Sequence, residues 1–161
     1  MKPRLRMAAL ALVVASLALA GCVATPAAPD PDALQAWLVD EPETDAPDLL
    51  ASAAAGAGPG DAVAAEGDEP FGTTMEFDAP VRLDRIEVTC FGEATISVEA
   101  DITGRATTQG VGAEGVRCAE GVFVLESPFQ GDAATVSKVR VDVYGADIPT
   151  AWRATIHGSE G

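Results

Sequence analysis

Two neighbouring stretches, RIEVTC (residues 85–90) and ATISVEADI (94–102), decide the reading of this chain. In the first, Ile86, Val88 and Cys90 alternate with Arg85, Glu87 and Thr89. In the second, Ile96, Val98, Ala100 and Ile102 alternate with Thr95, Ser97, Glu99 and Asp101. A strand turns successive side chains to opposite faces, so this alternation predicts half-buried strands with one dry face. The pattern continues outward. Met75 and Phe77 alternate in GTTMEFD (72–78), and Val139, Val141 and Val143 do so in KVRVDVYG (138–145). VRC (116–118), VFVLE (122–126) and WRATIH (152–157) are short segments of the same kind. Turn signals separate them at Phe91-Gly92-Glu93, Thr103-Gly104, Glu120-Gly121, Gln130-Gly131-Asp132 and Gly145 to Thr150. Val81 and Leu83 are out of phase with Ile86 and Val88, which predicts a bulge or tight turn near Asp84. About seven to eight short strands in residues 71–161, without a convincing helix, predict an all-β domain, a small antiparallel β-sandwich.

Upstream the composition changes. From Cys22 to Pro80 there are 13 acidic residues and no Lys or Arg, whereas from Val81 to Gly161 there are 12 acidic and 7 basic residues. Residues 22–70 read as a flexible acidic linker, because EPETDAP (41–47) and GAGPGDAVAAEGDEP (56–70) hold little that packs. Two short helices are expected within it. One covers 32–39, capped by Asp30 or Asp32, with Leu34, Trp37 and Leu38 on one face. The other covers 48–55, capped by Asp48 and stopped at Gly56. A helix this short is marginal alone, so Trp37 is expected to dock on the domain or fray rather than to capture a partner.

The first residues, MKPRLRMAALALVVASLALAGC (1–22), have the layout of a secretory signal. Lys2, Arg4 and Arg6 precede an uncharged stretch from Met7 to Ala20, too short to span a bilayer comfortably. Its end, Leu19-Ala20-Gly21-Cys22, resembles the lipobox of bacterial lipoproteins. That resemblance implies removal of residues 1–21, a diacylglyceryl group on the Cys22 thiol, and anchorage on the extracytoplasmic face of the cell membrane. Two acyl chains suit such an anchor, since one alone holds only marginally. The Ala- and Gly-rich composition, with no Asn and two Lys, is similar to that of small actinobacterial lipoproteins.

In an exported protein, Cys90 and Cys118, both in strand-like surroundings, are expected to form a disulfide. The loop between them makes it worth roughly 3–4 kcal/mol in the chain-entropy model. The absence of a CxxC pattern, with a single distant His, argues against a metal or redox pair. Cys22 is then the unpaired thiol, as lipidation requires.

Charge and motif content narrow the function. Without residues 1–21 the chain holds 25 acidic and 7 basic residues, a formal −18, which disfavours nucleic acid and anionic head groups as partners. Gly110-Val111-Gly112-Ala113-Glu114-Gly115 matches the dinucleotide fingerprint G-x-G-x-x-G by letter. The strand-like residues that follow it deny it the helix the fingerprint needs, so a Gly-rich hairpin loop is expected. His157 alternates out of phase with Trp152, Ala154 and Ile156 and is expected to face solvent, with no nucleophile elbow to serve. Glu66, Asp68 and Glu69 lack calcium-loop spacing, so no metal or cofactor is expected. Trp152 is assigned to the core. Tyr144, out of phase with Val139, Val141 and Val143, is the one aromatic expected on the surface as a ligand-binding residue. The expectation is a lipid-anchored, non-enzymatic envelope protein whose β-domain binds a protein or glycan. The alternatives are a spacer lipoprotein without a ligand and a small extracellular hydrolase.

Overall fold

The structure, a computed structural model, describes residues 27–40, 46–61, 72–129 and 135–161. Helix α1 (Pro31–Val39) begins where Asp30, in extended backbone, accepts a hydrogen bond from the Asp32 N–H at 3.0 Å, with proline in the first helical turn. Seven strands follow: β1 (Leu49–Ala57), β2 (Thr73–Cys90), β3 (Thr95–Gly104), β4 (Thr108–Arg117), β5 (Phe123–Glu126), β6 (Thr135–Tyr144) and β7 (Thr150–Glu160).

All pairings are antiparallel, and they join the strands in one hydrogen-bonded sheet of order β1-β7-β2-β6-β3-β4, with β5 also on β2. The all-β class is therefore what the alternation foretold, without a division into two separately hydrogen-bonded sheets. The join is β2. Its first half pairs with β6, while Arg85–Val88 pairs with β5 along the same edge; β7 holds the opposite edge from Val81 to Cys90. Register breaks on β2 between Glu76 and Val81, a stretch that contains Pro80 and its missing N–H. It breaks again against β7 between Leu83 and Arg85, so Asp84 is the extra residue that the phase change required.

One face of the sheet is dry. Ile86 and Val88 of β2, Ile96, Val98, Ala100 and Ile102 of β3, Val139, Val141 and Val143 of β6, and Trp152, Ala154 and Ile156 of β7 form a single buried cluster. Trp152 is its largest member, and each fully buried Val or Ile side chain contributes roughly 1.5–3 kcal/mol. The disulfide joins Cys90, at the end of β2, to Cys118, which opens a 3₁₀ turn (Cys118–Glu120) between β4 and β5; their Cα atoms are 4.9 Å apart.

Two expectations are corrected here. Residues 48–55 are not a helix, because Leu49–Ala57 is a strand paired with β7 from Leu49↔His157 to Ala57↔Thr150. Alanine favours helices, but eight residues alone make a marginal helix, and the edge of β7 supplies ladder hydrogen bonds instead. Ala51, Ala53, Ala55 and Ala57 turn inward and Ser52, Ala54 and Gly56 outward. With Ala in both phases, that alternation is invisible in the sequence. The sheet thus draws its first strand from the segment expected to be linker, and the boundary at residue 71 does not delimit it. The second correction concerns Gly110–Gly115, which lies inside β4 and not in a hairpin loop; the turn is at 104–107, where the Gly104 N–H meets the Thr107 carbonyl at 2.9 Å. Cys22, the signal residues and Glu66, Asp68 and Glu69 lie outside the described residues.

Candidate functional site

The outer face of β3 carries Ser97, Glu99 and Asp101. Across from them on β6 stand Tyr144, Asp142 and Arg140, in register, and across from Glu99 and Asp101 on β4 stand Gly112 and Gly110. Two glycines leave bare backbone where two side chains would otherwise fill the sheet's outer surface. The result is an open groove of about 500 Å³ bordered by Glu99, Glu114 and Tyr144. Glycine at 112 is dictated by the close approach of β3, since a Cβ there would stand 2.6 Å from the Val98 carbonyl oxygen. Beyond it β4 is bulged. Val98 faces Ala113 and Ile96 faces Val116, so Glu114 and Gly115 together oppose Ser97, with Gly115 at φ +69°.

Tyr144 is half-buried. Burial pushes its phenol up from the ordinary value, and the carboxylates of Glu99, Glu114 and Asp142 push it further the same way, since a phenolate among them would be repelled. Of these acids, Asp142 is bound by Arg140 at 2.6 Å. Among the described residues Glu99, Asp101 and Glu114 have no ion-pair partner. The groove therefore sets an aromatic ring beside carboxylates that have no ion-pair partner among the described residues. The expected surface residue Tyr144 is in it.

A second polar cluster lies on the outer face of β7 and β2. His157 is only 7% exposed, which corrects the expectation that it faces solvent. Its phase was right, for it points away from the core, but neighbouring elements cover it. Its Nδ1 lies 3.3 Å from Asp48 Oδ2 and its Nε2 3.6 Å from Glu87 Oε2. Arg85 reaches both acids, Glu87 at 2.7 Å and Asp48 at 3.2 Å. The Nδ1 approach is close enough for ion pairing but is not aligned as a hydrogen bond. Asp48 precedes β1, and its carbonyl accepts the Gly158 N–H at 2.8 Å, so the cluster clips the edge strand to the sheet. Burial acts to raise the Asp48 carboxyl. Contact with His157, its own backbone N–H and Arg85 outweigh that, and the net displacement is downward. The sequence hid this cluster because Asp48 read as a helix cap; Arg85 and Glu87, two apart on one strand face, were the only local sign of it.

On the same face, Arg153 lies over the Trp37 ring at 4.7 Å and donates to the Trp37 carbonyl at 3.2 Å and to the Asp40 carbonyl. The Trp37 ring is 6.2 Å from that of Phe91. Trp37 is thus spent on docking α1 rather than offered to a partner. Trp152 is core, 1% exposed. Among the described residues no helix is long and apolar enough to cross a membrane. No protein-family profile, curated protein or solved structure matches the chain.

Proposed function

We propose that this chain is a lipid-anchored, non-enzymatic protein of the extracytoplasmic membrane face, and that its all-β domain holds a ligand in the groove beside Tyr144. The observation that carries the reading is the coincidence of the one aromatic that strand phase assigned to the outer surface with a 500 Å³ groove floored by Gly110 and Gly112. Anchorage rests on the lipobox-like Leu19-Ala20-Gly21-Cys22. The non-enzymatic reading is supported by the placement of His157, the only histidine. Its neighbours are two carboxylates, with no hydroxyl bonded to it among the described residues, so a nucleophile–base pair is missing from the cluster.

Two experiments test this. Metabolic labelling with a fatty acid is expected to mark the wild-type chain and not Cys22→Ser; equal labelling of both removes the anchor. Co-sedimentation with isolated cell envelopes, using the chain from Val23 onward, is expected to be lost in Tyr144→Ala. Loss on protease treatment of the envelopes would indicate a protein ligand, and survival a glycan. No sedimentation at all would leave an anchored spacer.

A further inference from the structure

The groove opens sideways as well as outward, because β4 ends the sheet. Among the described residues it forms a ladder with β3 alone. No described residue forms a ladder with the backbone groups of β4 that face away from β3. Proteins commonly blunt such an edge with lysine, proline or a bulge. Here the bulge and the charges Glu114 and Arg117 come late, and Thr108–Ala113 (TQGVGA) has none of these devices.

We propose that this edge receives an extended, basic segment of a partner protein, which adds to the sheet as a further strand with its Lys or Arg side chains in the groove. The inference rests on the groove beside Tyr144 being the binding site, and it names the ligand class. Charge complementarity selects the occupant. Residues at alternate positions of an added strand share one face and recur about every 6.8 Å. On the outer face they meet Glu99, Asp101 and Glu114, which have no ion-pair partner among the described residues, beside Tyr144. Every Lys and Arg beyond residue 22 lies at a described position, and none of them lines the groove. On the inner side, half-buried Val111 and Val116 offer apolar contact to the intervening residues. The segment that fits alternates basic and apolar, with backbone hydrogen bonds supplying affinity and the acids supplying selectivity. A sugar chain would find one aromatic ring and no Asn, and an anionic polymer would be repelled. A second copy of β4 would bring Glu99 and Glu114 against their own like charges.

The test uses the full chain in detergent micelles at physiological salt. The probes are a labelled heptapeptide of alternating Lys and Val, the same peptide N-methylated at alternate amides, and an alternating Glu and Val peptide. The Lys/Val peptide is expected to bind, with slower amide exchange over residues 108–113. Methylation leaves its charge intact and is expected to weaken binding about tenfold or more. Glu99→Gln with Glu114→Gln, and separately Gly110→Lys, are expected to do the same. A Cβ at 110 meets only the Asp101 and Glu99 carboxylate oxygens, at 3.5 Å, so that variant can fold with its edge blocked. Equal binding of the methylated peptide, tighter binding of the Glu/Val peptide, or indifference to Gly110→Lys would overturn the proposal. So would a dimer of the free chain that Gly110→Lys dissolves. If the Lys/Val peptide fails while envelope sedimentation still depends on Tyr144, the groove stands and the peptide inference falls. If both fail, both readings fall.

Discussion

On the outer face of β7 and β2, Asp48 and Glu87 each have Arg85 and His157 within 4 Å; on the outer face of β3 and β4, Glu99, Asp101 and Glu114 have no ion-pair partner within 4 Å among the described residues. Both surfaces belong to the same sheet and face away from the same core. The first is closed. An extra strand, a helix and a set of ion pairs cover it, and Gly158, next to its histidine and paired with the core residue Leu83, is buried. The second is open. Its glycines, Gly110 and Gly112, are exposed, and its strand is the last in the sheet among the described residues. A surface whose charges already satisfy one another has little left to offer a partner, whereas uncompensated charge beside an unpaired strand edge does. That contrast supports the proposed ligand site at Tyr144 over one at His157, the only histidine.

The contrast is sharpest at its glycines. A Cβ at 158 would stand 1.9 Å from the Arg82 carbonyl oxygen and 2.9 Å from Leu50, so the backbone of β2 would have to move. Gly158→Ala is expected to destabilise the fold by about 3 kcal/mol, the upper range of overpacking, whereas Gly110→Ala should stay within about 0.5 kcal/mol, as exposed surface sites do. Urea unfolding of the two variants makes the measurement. Similar midpoints would erase the distinction between the packed β1–β7–β2 side of the sheet and its open β4 edge.

Next in size is the docking of α1 on the closed side. Arg153→Ala removes the cation over Trp37 and the hydrogen bonds to the Trp37 carbonyl of α1 and to the carbonyl of Asp40, which caps it. Partly exposed contacts of this kind sum to about 1 kcal/mol. Amide exchange in Pro31–Val39 is expected to accelerate, while β3 and β4 are unchanged. Unaltered exchange in α1 would mean that the helix is held by something else.

Acid tests the ion-pair cluster. The Asp48 carboxyl is displaced below its ordinary value of 3.8. A group lowered on folding contributes stability that is complete above its unfolded value and is lost as pH falls through the folded one. Below about pH 4, therefore, the wild type should lose a contribution that Asp48→Asn lacks at every pH. The stability gap between the two should narrow on acidification, and a gap independent of pH would show that Asp48 is not coupled to its neighbours.

The smallest effect belongs to the open side and is cleanly readable, because Tyr144 is the only tyrosine. Its phenol is raised from 10.0 by burial and then by Glu99, Glu114 and Asp142. Spectrophotometric titration of Glu99→Gln and Glu114→Gln should move its ionisation back towards that value. An unmoved titration would separate Tyr144 from the carboxylates of its groove.

Alternation was legible wherever apolar and polar residues differ in kind, so β3, β6 and β7 could be read from Ile96, Val141 and Trp152 and their neighbours. It was illegible in β1, where Ala occupies both phases, and in β4, where Gly does. Small residues carry no hydropathy signal, and the edges of this sheet are made of them. The phase of Tyr144 and His157 was equally readable, since strand periodicity sets the face a side chain takes. Which face is covered was not, because coverage depends on what folds back over it from far along the chain.

By itself, the sequence determined the all-β class, the Cys90–Cys118 pair, the extra residue at Asp84 and the acidity of the chain, all of which follow from local alternation, spacing and composition. Only the tertiary structure decided that Asp48 would meet His157, that β1 would be a strand, and that Gly110 and Gly112 would lie bare beside Glu99. Those outcomes depend on contacts between residues distant in sequence, and a strand's neighbours are chosen by the assembly of the whole sheet rather than by anything within the strand.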